Sequence, residues 1–476
     1  MPNCFWLAII LSRILVFLFT AVPGGGSSAV ASDSPAAPGD AKATLAERIK
    51  PWLERPLLVP QQTQEDVCAL VESQTARLSP PADLATWQKS AEATRLATLD
   101  KVVFRGVPDM WRSADVRVER LGEVESGEGY RVVRLRYEAL PGLWVPALLY
   151  EPVGIPGKLA VSLHVNGHDA LGKAAPYKQI RCLNLAKRGV LALNVEWIGM
   201  GQFRVPGNAH GKLNQLDLCG VAGLASFYLV MQRGLDVVLQ HPQADPQRVA
   251  VAGLSGGGWQ TIYLSALDPR VTLSNPVAGY SSFVTRVRHH SDLGDSEQTP
   301  NDMATVADYT HLTALRAPRP TLLTYNVKDD CCFASAHALP PLLDAAQPVF
   351  RLFGKEDNLR QHVNHDPGTH NFERDNRQAF YRMLADHGFA AEGRPFPREE
   401  IDMSGQVRKP EQLAVELPAE NADLHRLAVQ AAVGLPRTPA FPEAAVVDFE
   451  PWRKQRVERL REVMRVPGPS LLAQVV

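Results

Sequence analysis

A serine set between glycines, with a strand before it and a helix after it, constrains this chain more than any other feature. The stretch reads Gly253-Leu254-Ser255-Gly256-Gly257-Gly258-Trp259. Arg248-Val249-Ala250-Val251-Ala252 leads into it with the length and β-branched character of a buried strand. Behind it, Trp259, Ile262, Tyr263, Ala266 and Leu267 fall at helical spacing, and Asp268-Pro269 ends the helix. A turn this tight leaves no room for side chains beside the serine, which accounts for Gly253 and Gly257. It also lifts Ser255 Oγ clear of the backbone, with the Gly256 N–H behind it at a helix start, as a nucleophile requires. Spacing excludes the other glycine-rich turns. The run lacks Gly-x-Gly-x-x-Gly for a dinucleotide and carries no Lys-Ser/Thr for a phosphate loop.

A serine hydroxyl becomes a good nucleophile only when a histidine removes its proton and a carboxylate holds that imidazole in one tautomer. For a serine on such a turn the chain order is Ser, acid, His. The acid belongs just after the apolar stretch 321–325, where Asn326-Val327-Lys328-Asp329-Asp330-Cys331-Cys332-Phe333 stands. Asp329 has the usual offset, and Asp330 is the alternative; the bland reading of the pair is a polar turn with a capping Asp. The histidine should follow the last strand and precede the closing helix. That selects His370 in Asp366-Pro367-Gly368-Thr369-His370-Asn371-Phe372, with His362 and His365 as rivals in the same loop. The developing oxyanion needs two backbone donors. Gly256 N–H supplies one, and His168 N–H in His164-Val165-Asn166-Gly167-His168-Asp169 is assigned the other.

Glu196-Trp197-Ile198-Gly199-Met200-Gly201-Gln202 follows a strand at the carboxyl edge of the sheet, where ligands of α/β proteins gather. Glu196 is therefore a candidate for orienting a substrate hydroxyl, and Trp197 for stacking on a sugar ring; a capping acid and a core tryptophan fit the same residues. The loop 289–302 carries Asp292, Asp295, Glu297 and Asp302, but no defined calcium spacing, so an exposed acidic loop is expected and no metal is assigned. Cys331-Cys332 could be a vicinal disulfide or a packed thiol pair, and both readings stay open.

The remaining composition bounds partners and compartment. With 476 residues, 45% hydrophobic and 21% charged, the chain can build one large domain with additions. A net charge of −1 without any basic run argues against a nucleic-acid partner. Residues 7–22 are apolar except for Ser12, Arg13 and Thr20, and Ala29-Val30-Ala31 follows a Pro-Gly stretch. Residues 1–31 thus have the make-up of a signal peptide cut after Ala31, and Arg13 speaks against a retained anchor. No later stretch reaches the roughly 18 apolar residues of a membrane helix. A secreted or periplasmic protein is expected, with no membrane contact after signal removal. Once Cys4 has left, Cys68, Cys182, Cys219, Cys331 and Cys332 remain, an odd number without zinc-like Cys/His spacing. Nothing in the sequence speaks to oligomeric state.

Along the chain, residues 32–44 read as a linker and 45–110 as a helical region. Alternating stretches at 116–121, 130–137 and 144–150, parted by Gly127-Glu128-Gly129 and Pro141-Gly142, read as an antiparallel meander. Apolar strands then alternate with helices at 159–165, 190–195, 248–252, 271–277, 321–325 and 349–353, which implies a parallel sheet covered on both faces. The catalytic domain is set at 111–390 and a C-terminal extension at 391–476, helical over 451–466. Trp452-x-Lys454 with Leu460 and Val463 faintly echoes Trp87-x-Lys89 with Leu96 and Leu99, but an amphipathic helix packed on the main domain is preferred to an interrupted repeat.

Three antiparallel strands leading into such a sheet, with a serine elbow at its third parallel strand, resemble the α/β-hydrolase fold. Residues from about 110 to 390 resemble, more narrowly, the acetyl xylan esterase/cephalosporin deacetylase branch. The correspondence is strongest from Asp245-Pro246-Gln247-Arg248-Val249-Ala250-Val251 through Ser255 to Ala266-Leu267-Asp268-Pro269-Arg270-Val271. The resemblance implies a mostly parallel central sheet with antiparallel N-terminal strands and helices on both faces. It further implies a serine carboxylesterase that removes acetyl groups from carbohydrate without metal or organic cofactor, and it places the second oxyanion N–H at His168. Gly256 departs from the Gln usual in that branch, and from the Arg of the related glucuronoyl esterases, so fold and triad carry over better than acyl specificity. The expected partner is an acylated carbohydrate or small ester. Two alternatives are a prolyl-oligopeptidase-type serine peptidase and a catalytically inactive hydrolase-fold binding protein. The first usually needs a propeller of at least four blades of about 40 residues, for which the N-terminal region is too short. The intact Ser, Asp and His candidates argue against the second.

Overall fold

The computed structural model describes residues 44–56, 58–124, 127–435 and 449–464. The expected signal peptide lies outside the described residues. The chain divides into two compact units, Met1–Gln62 and Thr63–Val476. In the first, Thr44 caps the helix Leu45–Leu53 through a reciprocal bond with Glu47.

The second unit is built on a nine-stranded sheet. Its strands are β1 (Val118–Val124), β2 (Tyr130–Leu140), β3 (Leu143–Pro152), β4 (Leu159–His164), β5 (Val190–Val195), β6 (Ala244–Leu254), β7 (Leu273–Val277), β8 (Thr321–Asn326) and β9 (Leu359–Asn364). They lie in the order β1-β2-β3-β5-β4-β6-β7-β8-β9. β1, β2, β3 and β5 pair antiparallel in turn, and every pairing from β5 to β9 is parallel. Every residue of β4 and β5 is buried, as continuous apolar runs in a sheet covered on both faces require. Alternate residues of β5 serve two cores. Leu191, Leu193 and Val195 join one cluster with Trp259 and Tyr309, whereas Val190 and Ala192 join another with Phe380 and Leu384.

Two expectations need correction. Residues 349–353 are not a strand. They close the helix Ser335–Leu352, whose Leu342, Ala346, Val349 and Phe350 are buried on one face at spacings of three and four. A five-residue apolar run cannot by itself tell strand from helix, and Pro340, Pro341 and Pro348 inside the helix hid its period. The last strand is instead β9, whose Leu-Arg-Gln-His-Val-Asn sequence is too polar to announce itself. The terminal helix Phe449–Met464 has no buried residue, against the expectation that it packs. Arg and Glu surround it, and it lacks a wide apolar stripe. Among the described residues, no helix is long and apolar enough to cross a membrane.

The chain passes from β4 to β5 on one side, then returns to β6 on the other. Connections therefore diverge at the carboxyl ends of these strands, which opens a crevice there. The loop after β4 and the turn after β6 meet in it at backbone distance. A Cβ on Gly257 would stand 2.4 Å from the Val165 carbonyl oxygen, and one on Gly253 would stand 2.3 Å from it. Backbone on both sides cannot yield as a flexible side chain would. Gly257→Ala is therefore expected to lower stability by at least about 2 kcal/mol, the upper part of the range for overpacking. Denaturant unfolding checks this, and an unchanged midpoint would refute the close approach.

Candidate active site

Ser255 leaves β6 with φ 60° and ψ −123°, a conformation that costs a non-glycine residue on the order of 1–3 kcal/mol. Its neighbours hold it there. Ser255 N–H donates to the Val277 carbonyl at 2.9 Å, and its own carbonyl accepts the Trp259 N–H at 2.9 Å. The helix Gly256–Leu267 is buried throughout. Trp259 Nε1 donates to the Tyr309 hydroxyl at 2.9 Å, which in turn donates to the Gln298 carbonyl at 2.6 Å.

His370, in the loop after β9, presents Nδ1 to both carboxylate oxygens of Asp329 at 2.9 Å. Asp329, just beyond β8, has a fully buried side chain. Its oxygens also accept from the Cys331 N–H (3.2 Å), the Cys332 N–H (3.0 Å) and Asn326 Nδ2 (3.0 Å). Burial works against the charge on each partner. For His370 the Asp329 carboxylate outweighs it, so the imidazole pKa lies above its ordinary value. For Asp329 the bond and charge of His370 outweigh it, so the carboxyl pKa lies below the ordinary value. Asp330 takes a different position: its Oδ1 accepts the His370 backbone N–H at 2.9 Å. The two aspartates thus hold ring and backbone of the same histidine. His362 instead pairs with Asp375 at 2.8 Å, and His365 is exposed. With Nδ1 engaged, Nε2 is the nitrogen left for chemistry; among the described residues no hydrogen bond yet joins it to Ser255 Oγ.

Sequence reading missed the asparagines behind this pair. Asn376 Nδ2 donates to Asn326 Oδ1 at 3.0 Å, while Asn326 Nδ2 serves Asp329. Asn364 Oδ1 accepts from Asn371 Nδ2 at 3.1 Å and from the Gly368 N–H at 2.8 Å. One signal was available: β8 and β9 both end on asparagine at the carboxyl edge.

The loop after β4 is fixed from two sides. Asn166 Nδ2 donates to Asn194 Oδ1 (2.7 Å) and to the Val195 carbonyl (2.6 Å), and the Asn166 carbonyl accepts from Gln260 Nε2 (2.5 Å). A Cβ on Gly167 would lie 2.8 Å from the Gly256 nitrogen, so the residue before His168 rests directly on the elbow. Gly256 opens its helix, which leaves its N–H without an intrahelical acceptor.

Glu196 and Trp197 fit the second of their two readings, a capping acid and a core tryptophan, rather than the substrate-facing one. Glu196 is 1% exposed, and its Oε1 accepts the Lys173 N–H at 2.7 Å while Oε2 faces Lys173 Nζ at 3.2 Å and the Gln202 N–H at 3.2 Å. It ties two loops together and has no oxygen turned to a ligand. Trp197 is also 1% exposed, and a Cβ on Gly256 would meet its indole at 2.1 Å. That contact explains why glycine follows the serine here, since the indole fills the space a Gln or Arg would use.

The acidic loop 289–302 is not an exposed one. Asp292 and Glu297 are fully buried. Asp292 accepts from the Phe333 N–H at 2.9 Å and faces His337 Nε2 at 3.0 Å. Asp295 Oδ2 lies 2.6 Å from His168 Nε2 and 3.1 Å from His210 Nδ1, and Glu297 Oε1 is 3.1 Å from the same His210 nitrogen. Histidines distant in sequence draw the acids inward, which no local pattern could reveal.

Cys331 and Cys332 are free thiols, and Cys332 Sγ donates to Cys331 Sγ at 3.6 Å. That bond, with His370 close by, pulls the Cys331 thiol down to about 6, while Cys332 is pushed up. Cys331 is exposed, whereas Cys68 and Cys182 are buried. Iodoacetamide at pH 7 is expected to label Cys331 ahead of those two, and Cys332→Ala to slow that labelling, as peptide mass spectrometry would show. Equal labelling rates would contradict the assigned thiol pair.

No protein-family model matches the sequence, and no curated protein matches it significantly. Solved structures do. A methylesterase superposes with a TM-score of 0.56 at 20% identity, over 83% of this chain and 80% of its own. A Bacteroides fragilis protein provisionally described as an acetyl xylan esterase superposes with a TM-score of 0.51 at 16% identity, over 65% and 84%. At such identities the likeness speaks for architecture. A nine-stranded mixed sheet, mostly parallel, with antiparallel entry strands and helices around it follows the same plan: the chain has the α/β-hydrolase fold.

Proposed function

We propose that the protein is a serine carboxylesterase that hydrolyses ester groups, acetyl first among them, on carbohydrate. The observation that carries this reading is the pairing of His370 Nδ1 with a buried Asp329 at 2.9 Å, in the loops after β9 and β8, at the carboxyl edge of the sheet where β6 ends in Ser255. Support for an ester substrate comes from the two structural neighbours, one a methylesterase and one described as an acetyl xylan esterase.

The chemistry follows from atoms in place. Ser255 Oγ attacks the ester carbonyl as His370 Nε2 takes its proton. Asp329 fixes the tautomer through Nδ1 and stabilises the imidazolium that forms. The tetrahedral oxyanion takes hydrogen bonds from Gly256 N–H and His168 N–H, each typically worth about 2.7–4 kcal/mol of barrier. His370 then gives its proton to the leaving alcohol, and the acyl group stays on Ser255. A water deprotonated by the same Nε2 attacks the acyl carbonyl; the acid departs and Ser255 regains its hydrogen. No step needs a cofactor. In this reading the Ser255–His370 hydrogen bond forms with substrate bound, as catalytic hydrogen bonds are often long or absent in the free enzyme. Export through a signal peptide cut after Ala31 belongs to the same reading, and N-terminal sequencing of the mature protein tests it.

Acetate release from acetylated xylan and methanol release from methyl-esterified pectin, measured side by side, test the reaction and its preferred ester. Ser255→Ala is expected to lower turnover about a millionfold. Activity that survives this change would end the serine mechanism. The pH profile supplies a second check. His370 must be neutral to act as base, and its pKa is raised, so kcat/KM should climb with pH along a limb centred above the ordinary imidazole value of about 6.5. Asp329→Asn removes the carboxylate that holds the proton on the ring. The limb should move to lower pH and kcat should fall by about 10⁴. A limb that stays in place would assign the titration to another group.

A further inference from the structure

The cluster that pulls the acidic loop inward has a chemistry of its own. His168 Nε2, His210 Nδ1 and an Asp295 oxygen all lie within 4.8 Å of one another. They come from three separate segments: the loop after β4, the turn before the helix Leu213–Leu218, and the loop 289–302. We propose that His168, His210 and Asp295, with Glu297 behind them, bind a divalent cation of the zinc class.

Three observations converge on this site. The first is the orientation of His210. Its Nε2 lies 2.7 Å from the Ile198 carbonyl, which can only accept, so Nε2 carries the hydrogen and Nδ1 faces the two carboxylates. A backbone carbonyl that fixes one ring nitrogen and points the other inward is the usual outer partner of a metal-bound histidine. The second is Glu297. Its carboxylate is fully buried, and its one ion-pair partner among the described residues is His210 Nδ1, 3.1 Å from Oε1. A carboxylate cut off from water in this way requires positive charge beside it, which a protonated His210 supplies and a bound cation would replace. The third is spacing. Zinc holds imidazole nitrogen at about 2.0–2.1 Å and carboxylate oxygen at about 2.0–2.2 Å, which at tetrahedral angles sets neighbouring ligand atoms about 3.3–3.5 Å apart. His210 Nδ1 lies 3.1 Å from both Asp295 Oδ2 and Glu297 Oε1, close to that spacing, and the 2.6 Å hydrogen-bond distance between Asp295 Oδ2 and the half-exposed His168 would open as the ion enters.

The donor set selects the metal class. Two imidazoles with carboxylate oxygen suit zinc, whereas calcium takes six to eight oxygens and magnesium a near-ideal octahedron of them. Charge balances in the loaded site: once His210 gives up the proton that its two carboxylates hold, those carboxylates leave two negative charges for one divalent ion. No local Cys/His spacing announces this site, because its ligands are brought together only by the fold.

The site lies one aromatic ring from the elbow. Trp197, against Gly256, packs its ring 4.7 Å from His168 and 4.5 Å from His210. A cation here would pin the segment that presents the His168 N–H. The proposal itself holds whether or not Ser255 is a nucleophile.

Titration of the chelator-treated full chain with Zn²⁺, followed by calorimetry and by thermal melting, tests it. Cys331, Cys332 and His370 form a second group with donor atoms in mutual reach, so the titration uses a Cys331→Ser/Cys332→Ser background. One equivalent should bind and raise the melting midpoint. Asp295→Asn and His210→Ala should each weaken binding by more than the roughly 10–100-fold typical of losing an outer partner. His168→Gln, at the half-exposed end of the cluster, guards against a variant that fails to fold, and it should weaken binding in the same way. Absence of binding with an unmoved midpoint would leave an ion-pair network only and overturn the proposal. Binding that all three variants retain at parental affinity would overturn it equally.

Discussion

The approach of two backbones at the carboxyl end of β6 is the constraint on which the rest depends. Val165 and the elbow glycines leave no space for a Cβ between them, and the Ser255 backbone sits in a strained conformation as a result. Such strain persists only where the surroundings over-determine it. Here a buried helix, bonds to Val277 and Trp259, and the sheet itself supply that determination. One contact thus fixes two things together: the Gly256 N–H at the start of its helix and the position of the loop before His168.

The Asp329–His370 pair answers to a different constraint, the cost of burying a carboxylate. Asp329 is shielded from water yet surrounded by donors: two backbone N–H groups, Asn326 and His370. A buried charge that is paired and fully hydrogen-bonded is tolerated, and one that is not would be neutralised. The asparagines at the ends of β8 and β9 extend this shell. They carry no charge and undergo no chemistry, but they leave the carboxylate one orientation and so leave His370 one tautomer. Asp330 completes the arrangement by gripping the histidine backbone. Two adjacent aspartates that a sequence presents as rivals are therefore joint supports of one ring.

Much of this was legible in the chain because it rests on local pattern. The elbow, the antiparallel entry strands and the order serine, acid, histidine each follow from short spacings whose physics is local. What escaped reading depended on partners far away in sequence. Residues 349–353 read as a strand because a short apolar run has no period of its own, while burial against the sheet set it as the end of a long helix. β9 was hidden because an edge strand needs few apolar residues. Glu196 sits at a carboxyl edge, the right place for a ligand, but a buried Lys173 claims its oxygens. No sequence pattern pairs residues 173 and 196 in that manner.

The same long-range logic explains the one clear departure from the motif that the resemblance supplies. Glycine after Ser255 looks like a loss, since the resemblance implies a Gln or Arg there. Trp197 occupies that volume, and its ring is wedged among His168, His210 and Phe227. Polar contacts that a Gln or Arg would offer beside the serine are thus replaced by an indole, with a cluster of imidazoles and carboxylates one ring behind it. On this side of the elbow the part-exposed groups are His168 and Asp295, which pair with each other at 2.6 Å.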